Sequence, residues 1–248
     1  MTVAIVFSRA SLSIRAPLVS VETHLSPGLP AFNLVGLAET AVRESKERVR
    51  SAIINSGYEF PTRRITVNLA PADLPKHGTR FDLAIALGIL AASHQIPTQR
   101  LDQFECVAEL ALTGSLRAVR GILPAALAAR DCNRAILTAV GDDAEAALVS
   151  RLAVYAGATL DAICRHLKDI EPLPQTAFVD SGKTHVTTAG DLADIHGQYQ
   201  GKQALEIAAS GGHNLLLLGP PGTGKTMLAS RLPGLLPPLE EREAFETA

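Results

Sequence analysis

The chain has 248 residues, of which 47% are hydrophobic and 19% charged, with a formal net charge of −2. That is enough apolar material for a real core and suits one large domain, or a domain plus part of another. The near-neutral balance excludes overall charge as a driver of nucleic-acid binding and leaves only a local basic patch. With 4% aromatic residues and no tryptophan, aliphatic side chains must fill the interior.

The opening "MTVAIVFSRA" lacks a basic start followed by a long apolar run, so it does not read as a signal peptide. Val3, Ile5 and Phe7 alternate as on a half-buried strand. Val19, Val21 and Leu25 share one face of a second strand, with Ser20, Glu22 and His24 on the other. "SPGLP" is a turn and "AFNLVGL" a third strand. The period then becomes helical: Leu37, Ala41, Val49, Ala52 and Ile53 share a face, and "NSG" at 55–57 stops the helix. Ile65, Val67 and Leu69 mark a further strand. "RFDLAIALGILAAS" is apolar nearly all round, which predicts a buried helix too short to span a membrane.

From Glu105 strands and helices alternate. "CVAELAL", "RAILTA" and "LAVYAG" read as strands, and "ILPAALAARD" and "DDAEAALV" as helices. Asp142 or Asp143 suits the start of the latter. "TLDAICRHL" is a helix capped by Thr159. Residues 169–190, rich in proline and polar side chains, read as a linker. The expected organisation is a domain over 1–168, the linker over 169–190 and a second unit over 191–248. That unit should contain a helix near 200–210 and a strand at 214–218. Cys106, Cys132 and Cys164 fit neither a zinc spacing nor a disulfide framework and are expected as buried, reduced thiols. His77, His185, His196 and His213 are scattered, so no structural metal is expected.

The strongest signal is Gly219-Pro220-Pro221-Gly222-Thr223-Gly224-Lys225-Thr226, which satisfies G-x-x-x-x-G-K-[ST]. The glycines let several N–H groups face phosphate oxygens, and a helix beginning near Gly224 would add its positive end. In this phosphate loop Lys225 is expected to reach the β- and γ-phosphates of ATP, and the Thr226 hydroxyl to ligate Mg²⁺. Turnover also needs an acid at the end of another strand and an arginine at the γ-phosphate. Glu240, Glu241 and Glu243 follow no apolar strand, so no catalytic set is complete here, and the chain is expected to be a fragment of a longer protein.

Three stretches carry a resemblance: "NLVGLAETAVRESKERVRSAIINSGYEFP", "ITVNLAPADLPKHGTRFDLAIALGIL" and "HGQYQGKQALEIAASGGHNLLLLGPPGTGKTMLASRLPGLLPPL". They span almost the whole chain and resemble the ComM/YifB family, the bacterial magnesium-chelatase-like AAA+ proteins. The resemblance implies an α/β protein: a Lon-proteolytic-domain-like α+β fold, then the start of a P-loop AAA+ α/β domain. It further implies a cytoplasmic, homo-hexameric ATPase acting on branched or single-stranded DNA in recombination during natural transformation, with no membrane partner. Within "LPKHGTRFDLAIALGIL", Pro75, Lys76 and Gly78 match the Lon pattern, but the nucleophile's position falls on Arg80 and that of the activating lysine on Leu123. A Ser–Lys dyad needs a hydroxyl and an amine that accepts its proton, so peptidase chemistry is not expected. By the same resemblance, Ile195 and Gly197 beside His196 are candidates to touch adenine.

Two basic groups remain. Arg43, Lys46, Arg48 and Arg50 lie on one helix, where Glu39–Arg43 and Glu44–Arg48 can pair at i,i+4 or the cations can meet a DNA backbone. Lys76, His77 and Arg80, joined by Arg117 and Arg120, could line a groove for phosphate or single-stranded DNA. Two alternatives to a DNA motor stay open. One is a chelatase-like ATPase that remodels a protein partner. The other is an N-terminal domain that serves only as a DNA- or protein-binding module.

Overall fold

The computed structural model describes residues 2–36, 39, 42, 44–178, 190–237, 239, 243, 244 and 247. They fall into two compact units, Met1–Asp180 and Ser181–Ala248.

The strands of the first unit are β1 (Thr2–Arg9), β2 (Leu18–Ser26), β3 (Ala31–Val35), β4 (Arg64–Ala70), β5 (Phe104–Val107), β6 (Glu109–Leu110), β7 (Leu116–Arg117), β8 (Ala135–Ala139) and β9 (Val154–Gly157). Seven form one mixed sheet in the order β3-β4-β2-β1-β5-β8-β9, while β6 and β7 pair separately. β2 pairs antiparallel with β1 and β4; the pairs β1–β5, β3–β4, β5–β8 and β8–β9 are parallel. The alternation in β2 is carried out in space, with Val19, Val21, Thr23 and Leu25 buried and Ser20, Glu22 and His24 half-buried. The chain is therefore an α/β protein on a mixed sheet.

The helices are α1 (Ser45–Asn55), α2 (Asp82–Ala92), α3 (Ile122–Asp131), α4 (Asp143–Ala146) and α5 (Leu160–Leu167). Every residue of α2 is buried, as its all-round apolar pattern predicts. A Cβ at Gly88 would lie 2.5 Å from Thr23 Oγ1, so this glycine lets α2 close on β2. α1 begins later than the predicted helical face, of which Leu37 and Ala41 lie outside the described residues. Thr159 caps α5 by accepting from the Ala162 N–H at 3.2 Å.

Asp142 stands at the start of α4, where the sequence placed it, but its carboxylate serves a longer-range bond. It accepts from the Val119 N–H at 3.0 Å and from the Thr138 hydroxyl at 3.2 Å, tying β8 to the segment before α3. The first unit also runs past the predicted boundary at 168. Gln175 bridges Tyr155 of β9, and the Thr176 N–H donates to Val154 O at 2.9 Å. A short extended stretch can bond a sheet edge even when prolines interrupt it. Residues 179–189 of the expected linker lie outside the described residues.

His166 anchors that stretch. Its Nδ1 accepts from the Leu173 N–H at 3.0 Å, and its ring packs on Tyr155 and Phe104 at centroid distances of 4.8 and 5.7 Å. Burial, with a smaller contribution from Arg100, holds the imidazole below its ordinary value of 6.5; Asp169 opposes this weakly. Nδ1 is an acceptor only in the neutral ring. A depressed folded-state value means that the contribution is complete above 6.5 and is lost as pH falls from there toward the folded-state value. The melting temperature of the first unit should therefore drop as pH falls below 6.5, and less steeply in His166→Phe. Identical pH slopes by calorimetry would refute this anchor.

The second unit contains α6 (Tyr199–Gly211), α7 (Lys225–Ala229) and α8 (Leu232–Leu235). Leu192, Ile195, Leu205 and Leu228 form its small core. A Cβ at Gly201 would lie 2.8 Å from Leu228 Cδ1, so α6 and α7 meet closely there. The strand expected at 214–218 is not observed: these residues form no β-ladder, and Leu216 and Leu218 are 77% and 84% exposed. A strand exists only through a neighbour's hydrogen bonds, and no strand is present among the described residues of this unit.

Candidate functional site

The loop 219–226 lies between the extended 213–220 segment and α7. Gly219, Gly222 and Gly224 have φ of 158°, 82° and 79°; the last two occupy the left-handed region that glycine adopts without a Cβ penalty. The Pro220–Pro221 pair fixes φ between the first and second of these glycines. Lys225 folds its ammonium back over the loop, donating to Pro220 O at 2.6 Å, Gly219 O at 2.7 Å and Thr223 Oγ1 at 3.3 Å. Thr223 Oγ1 donates to Pro220 O at 3.0 Å. No backbone carbonyl among the described residues accepts from the N–H groups of Gly222, Thr223 or Gly224. Thr226 stands in the first turn of α7 with its side chain exposed. The eight motif residues are thus a ring of backbone groups closed by one cation, which can take an anion at its open N–H groups.

Gln198 was not legible in the motif. It adopts φ 54°, and its Nε2 donates to Thr223 O at 3.1 Å, bracing the loop from the start of α6. It stands 25 residues from its acceptor, so no local spacing marks it. Ile195, expected against a base, is 1% exposed and belongs to the core of the unit; His196 and Gly197 are exposed beside it. Glu240 and Glu241 lie outside the described residues, and Glu243 is exposed.

The expected cationic groove around Lys76 is not observed. Lys76 is fully buried and donates to Pro71 O, with burial pulling its amine below the ordinary value. Arg80 is 4% exposed and donates to the carbonyls of Arg120 and Arg9. Burial also lowers its guanidinium, against the pull of Asp142. His77 pairs with Glu39 at 2.6 Å, and the exposed Arg117 reaches Glu109 at 3.4 Å. Backbone carbonyls and carboxylates thus take up Lys76, Arg80, His77 and Arg117, while Arg120 stays exposed. Leu123 is buried on α3.

The basic helix divides its charges. Arg48 reaches Asp82, donating through Nε at 2.7 Å and Nη2 at 3.2 Å, and so fixes α1 to the start of α2. Burial raises the Asp82 carboxyl, with Arg48 opposing. Lys46 and Arg50 stay exposed, and Arg43 lies outside the described residues. A cleft at the end of α3 also gathers Arg130, Arg134 and Arg151. Arg130 there pairs with Asp131, and Arg134 with Glu105.

Cys106 and Cys164 are buried as expected, and burial raises both thiols, Cys164 to about 12. Cys132 departs from expectation. It is exposed, because it follows the last turn of α3, and its sulfur accepts from Arg9 Nη2 at 3.1 Å. No His, Cys, Asp or Glu cluster able to hold a metal ion occurs among the described residues. No helix among them is long and apolar enough to cross a membrane.

With this geometry in hand, similarity to known proteins becomes specific. A family described as subunit ChlI of Mg-chelatase matches residues 21–141. A second, described as magnesium chelatase, subunit ChlI, matches residues 191–248, which include the loop. The competence protein ComM of Haemophilus influenzae is 55% identical over the whole chain, which covers 49% of that relative. The YifB protein of Salmonella typhimurium is 52% identical over the whole chain, again covering 49% of the relative. A Mycobacterium tuberculosis protein is 42% identical over 97% of the chain and 48% of its own length. The chain spans about half the length of the curated relatives it matches. Identity at half or more of all positions with ComM and YifB, sustained along the whole chain and joined by two magnesium-chelatase matches, means that this chain belongs to the ComM/YifB family.

Proposed function

We propose that this chain is the ATP-binding part of a DNA-acting AAA+ motor and that the loop 219–226 is its phosphate site. The observation that carries the reading is the ring of backbone groups closed by Lys225 Nζ. An exposed ammonium held by carbonyls can exchange them for phosphate oxygens at small cost, because a charge-assisted bond to an anion is stronger than one to a neutral carbonyl. Gly222, Thr223 and Gly224 then offer their N–H groups to the phosphate chain. The exposed Thr226 hydroxyl would hold Mg²⁺, which would supply charge neutralisation at the phosphates. Gln198 keeps the Thr223 carbonyl in place, so the loop does not have to be ordered when nucleotide arrives.

The exposed Leu216 and Leu218 support a second element of the reading. Neighbouring strands from the remainder of a longer protein would cover them, build the sheet and bring the acid that activates water. The DNA role rests on the relative named as a competence protein. In this reading the full-length protein acts as a cytoplasmic homo-hexamer, and a Lon-like first unit without peptidase chemistry serves as its adaptor.

The deciding measurement is ATP turnover by the full-length protein with and without branched DNA. The expected outcome is stimulation by DNA of about tenfold, a drop of roughly 1.4 kcal/mol in the barrier. Turnover that ignores DNA would instead favour a chelatase-like ATPase remodelling a protein partner, the reading to which the two magnesium-chelatase matches lend weight.

A further inference from the structure

β3 is an edge strand, paired with β4 alone among the described residues. Phe32 and Leu34 point to the same side as the buried Ile65 and Val67 across the ladder, and α1 runs over that side. Arg48 fixes the rotation of α1 through Asp82. Lys46, Arg50 and Ile54, four residues apart, then share another face. A trough opens between that face and the β3 edge. One part, of about 240 Å³, is lined by all three together with Phe32, Phe60 and Arg63; an adjoining part, of about 380 Å³, is shared through Phe32 and Lys46.

The chemistry of this trough differs from that of the groups around Lys76 and at the end of α3, where carboxylates stand beside the cations. No carboxylate among the described residues lines either part. Lys46, Arg50 and Arg63 are exposed, and none takes part in an ion pair among the described residues. The floor is aromatic: the Phe32 and Phe60 rings lie 6.4 Å apart, and the Arg50 guanidinium sits 5.5 Å over Phe60. Asn33 and Ser45 line the adjoining part. Ser45 is 1% exposed, and its hydroxyl is a buried polar group without a hydrogen-bond partner. A polar group in that condition costs free energy until a partner reaches it.

We propose that this trough is a binding site for single-stranded nucleic acid in the first unit. Unpaired bases stack on the Phe32–Phe60 floor, and phosphates lie along Lys46, Arg50 and Arg63. Aromatic rings interleaved with unneutralised cations are what a strand with both π-faces and phosphates requires. A duplex keeps its bases stacked and cannot offer them to the rings. An acidic peptide would satisfy the cations but not the aromatic floor. The proposal extends the DNA reading above and rests on it only for the identity of the strand.

The test uses full-length protein carrying Lys225→Ala, without nucleotide, so that turnover plays no part. Labelled oligothymidylate binding is followed by anisotropy across a salt titration. Replacing Lys46, Arg50 and Arg63 together by glutamine should weaken binding at least tenfold. It should also flatten the log–log salt slope by about 2, since each phosphate contact on a single strand contributes about 0.7. Phe60→Leu keeps most of the bulk and should weaken binding about tenfold with the salt slope unchanged. The three cations are exposed, so the charge variant tests the site even if Phe60→Leu loses stability. Unaltered affinity in the charge variant, or no binding by the parent, overturns the proposal. So does displacement by polyglutamate as effective as by oligonucleotide with Phe60→Leu silent, which would assign the trough to an acidic peptide. ATP turnover is measured separately, so failure here leaves the phosphate-loop reading standing, and failure there leaves this site standing.

Discussion

Lys225→Ala should lower ATP turnover by the full-length protein about 10²-fold while the first unit melts as in the parent. The size follows from what is removed. A preorganised donor aimed at developing charge contributes about 10²–10³ to the rate, and Lys225 is the one cation bonded within the loop among the described residues. Its three acceptors all belong to the loop itself. The substitution therefore frees Gly219 O and Pro220 O to water, a small penalty because both residues are exposed. The core of the second unit around Leu205 and Leu228 keeps its contacts. Turnover within twofold of the parent would remove the loop as the phosphate site. A collapsed melting transition of the first unit would contradict its description as a separate compact unit.

The largest stability effect should come from Arg9→Met. Arg9 ends β1 and Glu105 lies on β5, and both are buried, Glu105 completely. The guanidinium makes a two-toothed contact with the carboxylate, Nε to Oε2 and Nη2 to Oε1, both at 2.6 Å. Its other bonds go to Ala16 O and Ala128 O, each at 3.0 Å, and to Cys132 Sγ at 3.1 Å. Burial opposes the charge on Arg9, but Glu105 outweighs it and holds the guanidinium above its ordinary value. Arg134 adds a weaker bond to Glu105 at 3.3 Å while lying 4.1 Å over the Phe7 ring.

Methionine in place of Arg9 leaves a buried carboxylate with Arg134 as its remaining cation. Breaking such a pair from one side costs about 3–5 kcal/mol, or roughly 6–20 °C in melting temperature for a unit of this size. The double variant Arg9→Met/Glu105→Leu should recover most of that loss, because no buried charge is then left unpaired. The chain has no tryptophan, so calorimetry and far-UV circular dichroism are the suitable readouts. A single variant within about 1 kcal/mol of the parent, or a double variant no better than the single, would show that the pair is not what holds β1 to β5.

Both expectations separate what a sequence reveals from what it conceals. The alternation in β2, the all-round apolar α2 and the Thr159 cap were legible because each depends on residues two to four positions apart. The conformation of the glycine-rich loop was legible for the same reason. Its glycines, lysine and threonine act within eight consecutive positions, and the positive φ values at Gly222 and Gly224 lie where the spacing required them.

The opposite held where a residue's role depends on a distant partner. Arg9 and Glu105 stand 96 positions apart and read separately as surface charges. Lys76 and Arg80 looked like groove cations until the fold turned them toward the carbonyls of Pro71, Arg9 and Arg120. Lys46 and Arg50 share one helix with Arg48, yet only Asp82 decides which of the three is consumed and which face the trough. The leucines at 215–218 have strand character but no strand, because a ladder needs a neighbour that local propensity does not supply. The sequence by itself determined the family, the α/β class and the glycine-rich loop motif, whose interactions are short-range. Tertiary structure alone decided which charges are neutralised and which remain available to a ligand, because desolvation and pairing are set by what the folded chain brings alongside each group.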